Sequence, residues 1–370
     1  MLVRSVELTN FRAWGSATFR FDDRATALLG PNACGKTSVL EAIWYAASLS
    51  SHRSSADSVM VRAGETAAVI RAEVERHAGD ATRAESIELE VVTQGRARQR
   101  LGGAPVGRRR DVLGTLRASI FAPERQAVIR GDPGDRRKFA DELLVQLHPR
   151  YHGVIREYER ALRQRNTLLR EHAAGRRSLE GLEAWDEALA GPGAALSAGR
   201  ARAIAALEPH AREAFERVGG GTSFAVAYLP NVPGSASDDS AAWTASFRER
   251  LAARAADERI RGVTLVGPHR DEVEIAVAGL PARTHASHGE GWLAATALVL
   301  GGHAAVAGAI AEEPVLLLDD PFTLLDPERR QRLVDALPPD AQVLVTAADP
   351  AEVPPSLKAA AIDAGEMSHG

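Results

Sequence analysis

The spacing of hydrophobic positions changes twice along this chain. In residues 2–8, 16–21 and 25–29 the apolar side chains form short extended runs closed by turn-forming residues, which predicts strands. A helix is predicted from about Lys36 to Ser48. Residues 67–76 and 85–93 alternate apolar with polar side chains, the pattern of half-buried strands. Near residue 133 the spacing becomes helical. Stretches 135–147, 150–174 and 182–218 carry that period, with breaks predicted at Gly175 and at Gly191, Pro192 and Gly193. The serine-rich stretch 232–240 reads as a loop. From about Arg261 the β/α pattern returns, with strands predicted at 263–267, 272–279, 314–320 and 342–349 and helices after Ser287 and Pro327. A β/α pattern interrupted by helices and then resumed predicts one discontinuous α/β domain, residues 1–132 and 259–370. Residues 133–258 form an inserted helical arm.

Composition narrows the class. A chain of 370 residues with 45% hydrophobic content can bury one large core or two moderate ones. No segment reads as a membrane span or a signal peptide, and the single cysteine, Cys34, cannot close an internal disulfide, so the expectation is a cytoplasmic protein with no membrane partner. A net charge of −4 gives no general attraction for polyanions. Nucleic-acid contacts would have to come from local clusters: Arg96, Arg98 and Arg100; Arg108 to Arg110; Arg136, Arg137 and Lys138; Arg163 and Arg165. Taken singly, each cluster reads as a solvated face. Lysine occurs only at 36, 138 and 358, which singles out Lys36 in an arginine-rich chain.

Lys36 lies in Gly30-Pro31-Asn32-Ala33-Cys34-Gly35-Lys36-Thr37, which fits the phosphate-binding pattern G-x-x-x-x-G-K-[ST]. An apolar strand enters it and an amphipathic helix leaves it through Ser38. Loop N–H groups and a helix N-terminus can then cradle phosphate. Lys36 would reach the β- and γ-phosphates of ATP, and the Thr37 hydroxyl would hold Mg²⁺. The apolar run 314–318 ends in Asp319 and Asp320, suited to Mg²⁺ ligation and to water activation respectively. Ser287-His288-Gly289-Glu290 precedes a helix and fits a capping box. Its functional reading is a signature loop, Ser287 and Gly289, that binds the γ-phosphate held by another subunit. His269, beside Arg270 and Asp271, reads first as structural. Trp44 and Trp185 read as core residues, and Trp292 as a possible anchor at a subunit boundary.

In order and spacing these motifs resemble the P-loop ABC-type ATPase heads of the structural-maintenance-of-chromosomes class, and within it the RecF family over the whole chain. Leu8-Thr9-Asn10-Phe11-Arg12 resembles the family's opening, and the resemblance implies that Arg12 lies near the nucleotide phosphates. Ser51-His52-Arg53-Ser54, Arg136-Arg137-x-Phe139-x-Asp141, Arg165-Asn166-x-Leu168-Leu169 and Gly267-Pro268-His269-Arg270-Asp271 resemble further landmarks. Asp326 and Thr346 resemble the family's D-loop aspartate and the polar residue on the following strand. The resemblance implies mixed sheets with flanking helices, an ATP-dependent homodimer, and backbone-dominated binding to DNA at single-strand/double-strand junctions. It also implies action with RecO and RecR in loading recombinase during gap repair, replication-fork maintenance and the SOS response.

Several positions depart from the family pattern. Ala33 stands where a second glycine is usual, and Gly291 and Trp292 replace the end of the signature. Residues 321–326 and Pro123-Glu124-Arg125 also differ. These departures point to a DNA-stimulated ATPase of weak turnover at most. Two alternatives follow: a nucleotide-gated scaffold that has lost hydrolysis, and a transporter ATPase subunit, against which the opening motif and the long helical insertion argue.

Overall fold

The extended runs near the N-terminus form β1 (Leu2–Phe11), β2 (Trp14–Arg20) and β3 (Ala25–Leu29), and β3 leads into α1 (Lys36–Ser48). Then come β4 (Ala67–Ala78), β5 (Ala81–Val92), β6 (Gln99–Leu101), β7 (Ala104–Pro105) and β8 (Ala118–Phe121). Helices α2 (Gln126–Arg130), α3 (Pro133–Leu147), α4 (Tyr151–Ala173) and α5 (Leu182–Arg217) follow, then β9 (Phe224–Leu229) and α6 (Ser240–Arg261). The chain continues through β10 (Glu272–Val277), β11 (Leu280–Pro281), α7 (Ala282–His285), α8 (His288–Ile310), β12 (Val315–Leu318), α9 (Pro327–Ala336), β13 (Val343–Ala347) and β14 (Ala360–Asp363). This computed structural model describes residues 1–365 apart from 55, 79–80, 234–239 and 324, so most of the serine-rich stretch expected as a loop lies outside the described residues.

Three sheets organise these elements. The first is antiparallel, in the order β2-β1-β4-β5-β6-β7. The second is parallel throughout, in the order β14-β3-β13-β12-β8. The third is β11-β10-β9. Alternate residues of β12 point to opposite faces of the parallel sheet. Val315 and Leu317 join the core shared with α1 and the antiparallel sheet, while Leu316 and Leu318 join the core shared with the helical block. That two-sided burial is why the strand is apolar at every position. Helix α1 is thus enclosed between two sheets and is buried along nearly its whole length.

Helix α8 has the length and mean hydropathy, 1.8, of a membrane span, contrary to the expectation that no segment would. It is a core helix: 72% of its apolar window is buried, against α5, α2, α3 and β8. Gly301 permits the close crossing with α5, since an added Cβ there would lie 2.5 Å from the Ala211 nitrogen.

Other expectations need correction. Residues 263–267 are not a strand. Their backbone donors are taken by side chains: Thr264 N–H by Asn166, Leu265 N–H by Glu258 and Gly267 N–H by Asn231. The break predicted at residues 191–193 is absent, and α5 runs through Pro192 and Pro209. Packing outweighs the lost hydrogen bond: α4, α6 and α8 all lie against α5, and Gly193 sits under Phe247 and Tyr158. Strands β8, β9 and β14 and helix α6 had no reading in the sequence. Trp292 is no surface anchor, because it is buried edge-on against Phe121 at 5.5 Å.

Two of the clustered arginines turn inward. Arg136 pairs with Glu272 at 2.7 Å. Arg165, 1% exposed, pairs with Asp186 at 2.6 Å and with Glu258 at 2.7 Å, and donates to Thr264. Arg200 makes a two-pronged pair with Asp141 and donates to the Pro268 carbonyl. Asp271, at the end of that loop, accepts from Ser197, from the Asn231 N–H and from Tyr228. The segments 136–141, 165–169 and 267–271 therefore fasten the helices to the loop before β10. Replacing Arg165 with Met strands two carboxylates and is expected to cost about 3–5 kcal/mol. Arg163→Met, on an exposed ion pair, is expected to stay within about 0.5 kcal/mol of the parent. Denaturant titration of both variants checks the contrast.

Candidate nucleotide site

Parallel pairing places the chemistry. Leu29 on β3 lies opposite Ala347 on β13, and Leu318 on β12 lies opposite Val345. The loop after β3, the carboxylates after β12 and Thr346 therefore share one sheet edge. Thr37 Oγ1 donates to Asp319 Oδ1 at 2.9 Å, and Thr346 Oγ1 donates to the same oxygen at 2.7 Å. Thr346 also accepts the Asp320 N–H at 2.8 Å.

The loop itself is shaped by backbone conformations that glycine favours. Gly35 has φ +96°, and an added Cβ would lie 2.7 Å from the Trp14 indole, whose Nε1 donates to the Gly35 carbonyl. Ala33 holds φ 69°, so the loop keeps the left-handed turn at a cost on the order of 1 kcal/mol. Pro31, Asn32 and Ala33 are exposed, Gly30 is half-buried, and Cys34 and Ser38 are buried. Lys36 is buried and donates to the carbonyls of Gly30 at 2.6 Å and Pro31 at 3.1 Å. Its ammonium is thus held across the mouth of the loop.

Burial pushes the Asp319 carboxyl up to about 6, opposed by the hydrogen bonds from Thr346 and Thr37 and reinforced by Asp320 and Glu124. Among the described residues no three His, Cys, Asp or Glu side chains could hold a metal alone. Thr37 and Asp319 could together offer hard oxygen donors to a cation such as Mg²⁺. Asp320 sits beside them at φ 45°, a strained backbone for a non-glycine residue. Glu124 was not read as a site residue. Its signal was weak because β8, the strand that delivers it, went unread.

Arg12 does not touch the loop. Its guanidinium grips Glu41 of α1 at 2.6 and 2.9 Å and donates to the Val59 carbonyl. Glu41, fully buried, also accepts from Ser51 at 2.5 Å and lies 3.6 Å from Arg53, which lies 3.9 Å from Glu124. A line of charge thus runs from Arg12 through Glu41 and Arg53 to Glu124 and Asp319. His269 is structural: Tyr158 donates to Nδ1 at 2.7 Å, and Nε2 lies 3.0 Å from the Thr264 carbonyl.

Ser287 caps α8 reciprocally with Glu290, accepting its N–H at 3.2 Å while Glu290 accepts the Ser287 N–H at 2.8 Å. Ser287 and His288 are exposed, and Gly289 lies near Arg329 of α9. Neither Ser287 nor Gly289 meets the phosphate loop of the same chain in any hydrogen bond. Asp326, the expected D-loop aspartate, caps α9 by accepting the Arg329 N–H.

The family model described as RecF/RecN/SMC N terminal domain matches residues 2–361. The chain is 44% identical over 361 residues to the DNA replication and repair protein RecF of Streptomyces avermitilis, covering 96% of this chain and 95% of that protein. It is 45% identical over 367 residues to the protein of the same name from Frankia alni, covering 96% of each. Among solved structures, the recombination mediator protein RecF-ATPrS in the RecFOR pathway superposes with TM-score 0.87 at 25% identity, over 98% of this chain and 96% of that one. An Smc head domain derived from Pyrococcus furiosus shares the fold at TM-score 0.51 and 18% identity, over 94% of this chain and 89% of that one. With a phosphate loop, an acidic strand end and a capped signature helix on a head of this fold, the chain belongs to the RecF family of DNA replication and repair proteins.

Proposed function

We propose that the protein is an ATP-operated DNA clamp of the bacterial cytoplasm, which dimerises on ATP and acts with RecO and RecR to help load recombinase at DNA gaps. The observation that carries this reading is the meeting of Thr37, Asp319 and Thr346 beside the phosphate loop. Bound MgATP would supply the triphosphate and its cation. Lys36 would exchange the Gly30 and Pro31 carbonyls for phosphate oxygens, and Thr37 and Asp319 would hold Mg²⁺. Asp320 would orient and deprotonate the attacking water. Ser287 and Gly289 of a second subunit would close the site, which accords with the exposure of Ser287 and the partial exposure of Gly289 at a helix N-terminus.

The hydrolysis-deficient scaffold is favoured by the departures at Ala33, Gly291 and Trp292. Two of these weigh little. Ala33 adopts the left-handed turn, and Trp292 is buried edge-on against Phe121. Slow hydrolysis on an intact site is the better account. An ATPase assay separates the two: Asp320→Asn is expected to lower turnover on the order of a hundredfold, whereas equal, near-zero rates in parent and variant favour the scaffold.

Light scattering after gel filtration tests pairing. ATP with Mg²⁺ is expected to double the mass of the parent but not of Lys36→Met. Ser287→Arg is expected to bind ATP normally yet stay monomeric, and a Ser287→Arg dimer would refute closure in trans.

The raised Asp319 carboxyl sets a pH dependence. Mg²⁺ binds the ionised form, and the group protonates as pH falls through about 6. The Mg²⁺-dependent part of ATP affinity should therefore be flat above pH 7 and fall roughly tenfold per unit below 6. Titration of a fluorescent ATP analogue from pH 5 to 8 measures it, and no change across that range would remove Asp319 as a ligand.

A further inference from the structure

Two arginine clusters that lie apart in sequence come together in the fold. The turn between β5 and β6 and the 109–112 segment face each other across a groove lined by Arg96, Gln99, Gly107 and Arg109 and floored by Tyr45 and Asp57. Arg109 lies over the Tyr45 ring, 5.0 Å from its centre, and pairs with Asp57 at 2.8 Å. Its Nη2 is buried without a partner. Arg110 lies against Gly153 in the first turn of α4. Arg156, one turn further along α4, acts on Arg109, Asp57 and His152.

These cations outnumber their counter-ions. Among the described residues no carboxylate pairs with Arg96, Arg98, Arg108 or Arg110. Four acids lie nearby, and two of them, Asp57 and Glu90, line the groove itself. Asp57 is held by Arg109 and Tyr45, Glu159 is shared by Arg156 and Arg163, Glu90 accepts the Arg98 N–H, and Asp111 accepts the Arg108 N–H. Crowding has electrostatic consequences: burial and Arg156 press Arg109 down to about 10, and burial with Arg156, Arg109 and Arg110 presses His152 down to about 4. Like charges packed this way call for an anion, and the positive end of the α4 dipole adds to the field.

We propose that the basic surface formed by this groove and the exposed arginines beside it in sequence holds the phosphate backbone of duplex DNA, with Arg96 in the groove and Arg98, Arg108 and Arg110 around it as the phosphate-contacting side chains and Arg109 as rigid support. This rests on the reading of the chain as a DNA-binding ATPase. Chemistry selects the duplex over a single strand. Single-strand sites stack bases on accessible aromatic rings, and the aromatic residue here, Tyr45, is 1% exposed beneath Arg109. The four contacting arginines are exposed, which suits sequence-independent contact.

The experiment uses the full-length protein with Arg96, Arg98, Arg108 and Arg110 all changed to Ala, sparing Arg109 because it is built into the fold. Fluorescence anisotropy with a labelled duplex, across a series of salt concentrations, compares it with the parent. Loss of four contacts should make the slope of log affinity against log salt shallower by about 3 to 4 and weaken binding at low salt on the order of a hundredfold. ATP affinity and melting temperature should be unchanged. Parental slope and affinity in the quadruple variant would overturn the proposal. So would intact duplex binding accompanied by lost binding of a polyglutamate peptide, which assigns the groove to an acidic protein segment. A parent that binds ATP but no DNA at any salt would instead refute the broader functional reading.

Discussion

One buried oxygen, Asp319 Oδ1, receives the hydroxyl protons of both Thr37 and Thr346. Those donors come from the first turn of α1 and from β13, and the acceptor from the end of β12. Three elements distant in sequence are therefore held in register by two short bonds at the edge of the parallel sheet. The arrangement works only because that sheet is buried on both faces, which fixes the strands that carry the site. The same burial raises the Asp319 carboxyl. Desolvation disfavours the ionised form, and the two hydroxyl donors oppose it.

A second set of buried charges ties the helical block to that head. Arg165, Arg200 and Asp271 are each at most 4% exposed, and each is matched by several partners around the loop before β10. Buried ion pairs contribute little net stability, but losing one partner is severe. Such a network defines one geometry and penalises others. Together with α5 crossing α8 at Gly301, it makes the helices and the C-terminal half of the head a single packed unit: one continuous core contains Leu143, Leu207, Val273 and Leu298.

Much of this was legible in the sequence where periodicity was strong. The phosphate loop was readable because its glycines, Lys36 and Thr37 sit between an apolar strand and a helix, and the strand ending in Asp319 because it is apolar at every position. Short strands such as β8 and β14 were not, since four residues carry no period. Neither was Glu124, which depends on β8. Proline misled at residue 192, where tertiary packing outweighs local preference. The run 263–267 looked like a strand because it is apolar and β-branched, yet Asn166, Glu258 and Asn231 take its backbone donors, and the partnerships with Asn166 and Asn231 link residues far apart in the chain. Arg165 looked like a surface charge for the same reason: Glu258, its partner, lies beyond any local pattern.

The signature loop shows how the two halves of the design depend on each other. Helix α8 is buried from Gly291 to His303, and at its N-terminal end Ser287 and His288 reach solvent. A helix packed against α5, α2 and α3 cannot shift its N-terminus alone, because displacing Leu298 or Gly301 disturbs the close contact with α5. Any movement of Ser287 toward a nucleotide therefore carries the helical block with it. On the other side, α1 is enclosed between two sheets and carries Lys36, Thr37 and Glu41 as one rigid face. The segment that joins these bodies, from the end of β8 through α2 into α3, contains Glu124, 3.9 Å from Arg53, and Lys138, which donates to the Ser51 carbonyl. The same segment also places Phe121, Val128, Ile129 and Phe139 in the core that holds α8. The phosphate loop and the capped start of α8 are thus joined through one continuous core as well as through polar contacts.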